Sequence, residues 1–468
     1  MDSQKNIHFI AMGGSGMEPL ARWCAEKGYK VSGSDISEKS VKKLTELGFD
    51  CKLKHSEENI PENCNLVVYS NAIPENNIEV QEAKQRNITR LHRPIFLAKQ
   101  FNKAEKRIAI TGTHGKTTTS SLISWIVYKS GRDPNVLIGG EMLNWNAGYR
   151  VGNNKYFVVE ADESNPEFVN LDPTTLVLNN LDCDHMDTYR TMENLERYIT
   201  DYLTSRDEKC NFVMPREKGL GMSKILENSS IRPGSIITTA LIESDKELGQ
   251  GSMADRALLE GKIISEGERG MLMRVLYYGL PLGEFFLPLS GKHNARNVLS
   301  AIGACLTLGM DENEIYEGLR SFKGVGRRME RIGNTAVGEI FSDYAHHPTA
   351  LRETLKSIKS KYKNKKIGIV FEPHRYTRLQ KTHEQFSNVL NSFEFNQKLI
   401  LPIYTAGEKE IDGISSELLV SNNSDCQLVQ REDMIENLVN GENDIIIFLG
   451  AGNIHKIANQ TFQLCQIN

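Results

Sequence analysis

Lys116 and Thr117 follow two glycines in Thr111-Gly112-Thr113-His114-Gly115-Lys116-Thr117-Thr118-Thr119. An ammonium beside a hydroxyl, both next to glycine backbone, is chemistry for a polyphosphate. Backbone N–H groups and the lysine neutralise the anion, and the threonine oxygen is hard enough for Mg2+. Further on, Glu160, Asp162 and Glu163 crowd the end of the apolar run Tyr156-Phe157-Val158-Val159. An acid at such a strand end holds a divalent cation, directly or through water, so Glu160 is the candidate ligand; a surface turn is the alternative. A third group is Asp182-Cys183-Asp184-His185-Met186-Asp187. It has the composition of a transition-metal site, histidine being the commonest ligand of such ions; a helix N-cap at Asp187-Thr188 is the competing reading. Mg2+ prefers oxygen, so His185 would be an unusual ligand for it.

Other candidates are more dispersed. Gly13-Gly14-Ser15-Gly16-Met17 follows a short apolar run, and Asp35 comes about 20 residues later, where an acid binds a ribose hydroxyl in dinucleotide folds. Asp35 equally suits a helix N-cap. Ser70 and Asn71 end the run Leu66–Tyr69, and Arg93 offers a cation to a diphosphate or to solvent. Asn294 and Asn297 share a helix face that could meet an adenine edge, or form a polar helix start. Arg375 and Arg378 suit a carboxylate, which guanidinium grips bidentately; a solvated loop is the alternative.

The elements that must position these residues are legible from the apolar runs. Ile108-Ala109-Ile110 is a strand leading into the lysine loop, and Leu122, Ile123, Trp125, Ile126 and Val127 recur at helical spacing after it. Strand, glycine turn, Lys-Thr and helix is the order of a phosphate-binding loop, although Ile110 stands where the longer form has its first glycine. The short form also reads as an ordinary strand-to-helix turn. Ala11 likewise replaces the first glycine of the N-terminal turn. In the last third of the chain, runs at 339–341, 367–371, 399–401 and 445–449 each enter a polar or glycine-rich cluster. This predicts a parallel sheet with its ligand edge at the strand C-termini. Residues 205–288 are predicted as short strands joined by turns at 219–222, 249–252 and 261–270, without chemistry.

The bulk properties narrow the classes. A chain of 468 residues implies two to four domains, and a net charge of -4 gives no basic stripe for nucleic acid. The eight cysteines include no C-x-x-C pair, so neither a zinc ribbon nor a thioredoxin site is indicated. They read as reduced thiols of a cytoplasmic protein. Met1–Asn6 is polar and the following apolar run, Ile7–Met12, is too short for a signal; no run approaches the ~20 residues of a membrane span. A monomer or homodimer, with no membrane partner, is expected.

Taken together, GGSGM at 13–17, SGSD at 32–35, GTHGKTTT at 112–119, VEADES at 159–164, DHMDTY at 184–189, HNARN at 293–297, GVGRRME at 324–330, DYAHHPT at 343–349, EPHRYTR at 372–378 and GAGNIHKIA at 450–458 resemble the Mur ligases of bacterial cell-wall synthesis. The strings are collinear across nearly the whole chain. The resemblance implies an α/β fold of three domains: a Rossmann-like UDP-sugar domain at 1–104, a central P-loop ATPase domain at 105–324 and a C-terminal Rossmann-like amino-acid domain at 325–468. It implies ATP and Mg2+, and a carboxylate phosphorylated by ATP before an amine attacks it. DHMDTY and PHRYTR select the branch that adds L-alanine to UDP-N-acetylmuramate. By resemblance, Gly112 to Thr118 hold ATP, Thr117 and Glu160 a Mg2+, and His185 a second Mg2+. Asn294 and Asn297 meet adenine, Arg328 and Asp343 reach ATP from the third domain, and His346, Arg375 and Arg378 serve the amino acid. Gly13, Gly14, Ser15, Gly16, Met17, Asp35, Ser70, Asn71 and Arg93 serve the sugar nucleotide. FKGVGRRME and DYAHHPTA also resemble the related ligase that attaches a recycled murein tripeptide. A nucleotide sensor without ligase activity would leave the Glu160, His185 and His346–Arg378 groups without a task.

Overall fold

Parallel strands covered on both faces are apolar without alternation, and the runs picked out above have that character. The computed structural model describes residues 6–163, 166–183, 186–206, 208–216, 225, 234–244, 247–248, 257–421 and 425–466. Its strands form three sheets. The first holds β1 (Asn6–Ile10), β2 (Lys30–Asp35), β3 (Asp50–Leu53), β4 (Leu66–Tyr69) and β5 (Thr89–His92), in the order β3-β2-β1-β4-β5 and all parallel. The second holds β6 (Lys106–Thr111), β7 (Asn135–Met142), β8 (Ala147–Arg150), β9 (Tyr156–Glu160), β10 (Thr175–Leu178), β11 (Asn211–Pro215), β12 (Ser235–Leu241), β13 (Leu259–Gly267), β14 (Gly270–Tyr277) and β15 (Leu280–Leu287). Their order is β15-β14-β13-β12-β11-β10-β6-β9-β7-β8. The third holds β16 (Glu330–Thr335), β17 (Gly338–Asp343), β18 (Ile367–Phe371), β19 (Gln397–Ile400), β20 (Cys426–Leu428) and β21 (Ile445–Leu449), in the order β16-β17-β21-β18-β19-β20. Only β16 is antiparallel in it.

The chain divides into two compact units. One comprises 1–262, 274–285 and 296–322; the other comprises 263–273, 286–295 and 323–468. In the first, a continuous core runs from Ile7 and Phe9 through Phe96 and Phe157 to Phe212. Trp23, on the helix Met17–Glu26, stacks on Phe157 at 5.5 Å and donates its indole N–H to Asn135 Oδ1 at 3.2 Å, so the first sheet's helix is pinned to the second sheet. In the second unit, the faces of β17, β18 and β21 are buried under the helices Pro348–Lys361, Tyr376–Asn391 and Ile454–Leu464.

Three local expectations are corrected. The helix after Asp35 is capped by Ser37, which accepts from Ser40 N, while Asp35 accepts from Gly13 N and Ser37 N at 2.8 Å each. The helix carrying Met192, Leu195 and Tyr198 is capped by Thr191, because Asp187 lies inside a separate short helix, Met186–Tyr189. Residues 261–270 are mostly strand: β13 extends to Gly267 and β14 starts at Gly270, leaving only a tight reversal between them. The other two turns expected in that tract, at 219–222 and 249–252, lie outside the described residues.

Beneath the first sheet lies a fully buried glutamate. Glu79 accepts from Ser34 Oγ and Asn59 Nδ2 at 2.6 Å each and from Ser56 N at 3.2 Å, with the His8 and His55 rings at 3.5 Å. Burial alone would raise its pKa; bonds from His8, Ser34 and Asn59 outweigh it and hold the carboxyl below the ordinary value. A depressed carboxylate stabilises the fold above its unfolded pKa of about 4.3, and that stabilisation is lost as pH falls through the native value. Glu79→Ala should cost about 3 kcal/mol at pH 7. Urea unfolding would read this as an earlier first transition, and the difference from wild type should shrink as the pH falls below that of the unfolded carboxyl. A variant with the wild-type midpoint at pH 7 would contradict the assignment.

Candidate active site

In the second sheet, β6 lies between β9 and β10. All three are parallel, so their carboxyl ends stand side by side. The loop after β6 is therefore flanked by Glu160–Glu163 on one side and Asn179–Asp182 on the other. Gly112 has φ +117° and Gly115 has φ +79°, conformations that favour glycine. A Cβ at Gly112 would lie 2.8 Å from the Asn180 carbonyl, and one at Gly115 would collide with the Asn297 amide. The loop is laced to its neighbour: Thr113 N donates to the Asn180 carbonyl at 3.2 Å and His114 N to Asn180 Oδ1 at 2.8 Å. Asp182 N donates to Thr113 Oγ1 at 2.9 Å, and His114 Nε2 pairs with Asp182 Oδ2 at 2.8 Å.

Lys116 opens the helix Lys116–Lys129. Its ammonium donates to the Gly112 carbonyl at 2.8 Å and to the two Glu163 carboxylate oxygens at 3.0 and 2.9 Å. Glu163 is fully buried. Burial pulls the lysine pKa down, but Glu163, with Asp162 and Glu160, outweighs it and holds the ammonium above its ordinary value. On the next residue, Thr117 Oγ1 donates to Glu160 Oε1 at 3.2 Å, and Gly139 N donates to Glu160 Oε2 at 2.8 Å. Thr117 and Thr118 are both buried. Two hard oxygens side by side at the foot of an anion loop are a donor set that fits Mg2+. His185 and Asp184 lie outside the described residues.

In the first sheet the turn is built despite its missing glycine. Ala11 takes φ +62°, the left-handed conformation a glycine would adopt freely, at a cost of about 1 kcal/mol. Gly14 N donates to the Ala11 carbonyl at 3.2 Å and Met17 N to the Gly14 carbonyl at 2.9 Å. Ser15 is exposed and Met17 buried. Asp35 ties the turn down through Gly13 N. A Cβ on Gly16 would lie 2.9 Å from an Arg93 guanidinium nitrogen. Burial lowers the Arg93 pKa, opposed by Asp162, Glu160 and Glu167, so this cation beside Gly16 also feels the acids at and beyond the end of β9. Ser70 Oγ accepts from Ala72 N at 3.3 Å, and Asn71 donates to Glu167 at 3.1 Å.

The second unit gathers a different set at the carboxyl ends of β17 and β18. His346 Nδ1 donates to the Tyr344 carbonyl at 2.9 Å. Arg378 Nη1 donates to His374 Nδ1 at 3.1 Å, and the two imidazoles are 6.1 Å apart. Burial, then Arg378, push His346 down to about 3 and His374 down to about 4, so both rings are neutral near pH 7. Arg375 has φ +71° at the start of the helix Tyr376–Asn391. Arg327 and Arg328 lie over the Tyr344 ring at 4.7 and 5.1 Å. Asp343 is engaged within this unit, accepting from Met329 N at 2.8 Å and Ala345 N at 2.9 Å; it fixes the turn that carries the two arginines. Asn294, in the first turn of the helix Lys292–Thr307, donates to the Ser290 carbonyl at 2.8 Å; the buried Asn297, further along that helix, belongs to the first unit.

Sequence reasoning missed Asn180 and the lacing role of Asp182 and of Asn179, whose amide donates to the His114 carbonyl at 3.3 Å. The signal was present, since polar residues at a parallel strand's carboxyl end mark the ligand edge. It also missed Glu163 as the partner of Lys116, and His374 and Tyr404 beside Arg378.

Three family models match in sequence order: the Mur ligase family catalytic domain at 6–104, the Mur ligase middle domain at 110–305, and the Mur ligase glutamate ligase domain at 327–452. Among curated proteins, a UDP-N-acetylmuramate–L-alanine ligase of Aquifex aeolicus is 34% identical over 97% of this chain and 96% of its own length. Its counterpart in Clostridium acetobutylicum is 35% identical over 97% of each. Among solved structures, UDP-N-acetylmuramate-alanine ligase of Thermotoga maritima superposes with a TM-score of 0.80 at 24% identity, covering 98% of both chains. A murein peptide ligase of Psychrobacter arcticus gives 0.69 at 23%, again over 98% of both. With a parallel-stranded phosphate loop, an acid-bearing strand beside it and matches of this length on either side, the chain belongs to the Mur ligase family.

Proposed function

We propose that this ligase joins L-alanine to the carboxylate of UDP-N-acetylmuramate, with ATP converted to ADP and phosphate, in peptidoglycan precursor synthesis. The observation that carries this reading is the pairing of Arg378 with a neutral His374, beside Arg375 and a neutral His346. Arginines bind the carboxylate of an amino acid, and neutral imidazoles do not repel the amine that must attack. The curated relatives carrying that activity in their names align over nearly the whole chain, which supports the same choice.

In this reading, residues 1–104 bind the UDP-sugar, 105–324 bind ATP and 325–468 bind the amino acid. Gly13, Gly14, Ser15, Gly16 and Met17 approach the diphosphate, Asp35 holds their turn, Arg93 supplies the cation, and Ser70 and Asn71 line the strand end. Backbone from Gly112 to Thr118 and the Lys116 ammonium receive the phosphates. Thr117 and Glu160 would hold Mg2+, with His185 at a second ion; the metal supplies charge neutralisation between two anionic reactants. By the resemblance, Asn294 and Asn297 serve the adenine and Arg328 and Asp343 serve ATP, Asp343 also holding the turn that carries Arg328. The substrate carboxylate attacks the γ-phosphorus and ADP leaves. The amine of L-alanine then attacks the acyl carbon, and phosphate leaves with the amide formed. Positioning and exclusion of water are what the chain contributes to both steps. The cytoplasm is where ATP is supplied and where the eight cysteines stay reduced.

Phosphate release from ATP, Mg2+ and UDP-N-acetylmuramate should require L-alanine, with one amide formed per phosphate. Release only with L-alanyl-γ-D-glutamyl-meso-diaminopimelate would assign the tripeptide ligase instead, and release with no acceptor would contradict both. Lys116→Ala should lower the L-alanine-dependent rate by about 10³-fold. It should also lower the melting temperature, because Glu163 is left buried without its ammonium. Lys116→Ala combined with Glu163→Gln should recover the melting temperature but not the rate; a double variant with wild-type turnover would contradict the role given to Lys116.

A further inference from the structure

His374 is held from both sides by one residue of the cluster that follows the run 399–401. Tyr404, after β19, donates its N–H to the Pro373 carbonyl at 2.8 Å, and its own carbonyl accepts from Arg375 N at 2.8 Å. The two bonds bracket His374, which pairs with Tyr404 as an isolated parallel bridge. The side chains repeat the pairing, for the rings stack at 5.5 Å with an interplanar angle of 16°. Behind Tyr404 lies Gly452, where an added Cβ would sit 2.7 Å from Tyr404 Cβ and 2.5 Å from the fully buried Glu372 carboxylate. Only a glycine leaves that ring its place. Glu372 is itself fixed, accepting from Arg431 at 2.7 Å and from Ile454 N at 3.1 Å. The stack therefore rests on a rigid floor.

We propose that Tyr404 is a positioning residue for the amino-acid site: by bridging the backbone of His374 and stacking on one face of its ring it holds that ring fixed, so that Arg378 keeps a single orientation towards the acceptor carboxylate. The inference rests on the amino-acid role proposed above for Arg378. The bond from Arg378 needs an unprotonated Nδ1 on His374, since a guanidinium only donates. A protonated ring would repel Arg378, and also Arg375 and Arg327, which face it; Glu408 opposes them, and the neutral His346 ring stands on the other side. The aromatic face of Tyr404 excludes water from the ring and so disfavours its charged form.

The test compares wild type, Tyr404→Phe and Tyr404→Leu by two readouts. The first is the KM for L-alanine against the KM for ATP. The second is a titration of histidine-labelled protein by carbon-13 NMR, with His374→Gln assigning the resonance. Tyr404→Leu should raise the KM for L-alanine by roughly three- to tenfold, the worth of one aromatic pair, and leave the KM for ATP within about twofold. Its His374 should titrate nearer the ordinary value of about 6.5, while wild type and Tyr404→Phe stay neutral well below it. An unchanged L-alanine KM and titration in Tyr404→Leu would overturn the inference. So would a Phe variant as impaired as the Leu variant, or equal rises for ATP and L-alanine. Wild type that turns over without saturating in L-alanine would instead count against the amino-acid reading itself, and the NMR arm would still decide whether Tyr404 governs His374.

Discussion

An ammonium can stay charged inside a protein only if a carboxylate goes in with it, and the pair formed by Lys116 and Glu163 is the interaction on which the phosphate loop depends. Glu163 has no contact with water, so its charge is compensated locally or not at all. The lysine also bonds to the Gly112 carbonyl, which ties the charge pair to the glycine backbone of its own loop. Strand order makes the pair possible. Because β9 lies next to β6, an acid just beyond its end reaches the loop after β6; because β10 lies on the other side, Asn180 and Asp182 brace the same loop. Each partner comes from a different crossover, so the sheet must be assembled before the loop has its shape.

The second unit answers a different electrostatic problem with the same topology. Parallel strands again bring their carboxyl ends to one edge, but the groups collected there are cations and neutral imidazoles. Burial, then Arg378, depress both histidines; Arg328 adds to the effect on His346, and Arg375 and Arg327 to that on His374. The arrangement is tolerated because the Tyr344 face lies under the Arg327 and Arg328 guanidiniums, while Tyr404 stacks on the neutral His374 ring. It is suited to an anion with an uncharged nucleophile attached.

What the sequence disclosed and what it hid follow from the range of the forces involved. The apolar strands at 108–110, 367–371 and 445–449 were legible because burial on both faces leaves no polar alternation. The phosphate loop was legible because glycine, lysine and threonine state their use locally. Ala11 was not: the pattern calls for glycine, and only the backbone reveals that alanine accepts the left-handed conformation there. The role of Asn180 depends on which strand neighbours which, information that no short window contains. Asp35 and Asp187 were ambiguous for the opposite reason, since an acid before a helix satisfies the local rule for a cap even when Ser37 and Thr191 do the capping. The half-exposed strands β13 to β15 carried too weak a pattern to be separated from turns.

The central claim is that the loop of Lys116 delivers the γ-phosphoryl group to a carboxylate rather than to water. UDP-N-acetylmuramate labelled with oxygen-18 in its carboxylate, turned over with ATP, Mg2+ and L-alanine, tests it directly by mass spectrometry of the released phosphate. The account predicts a single carboxylate oxygen in each phosphate formed, matched to amide product. Unlabelled phosphate accompanying amide formation, or label recovered in AMP, would contradict it.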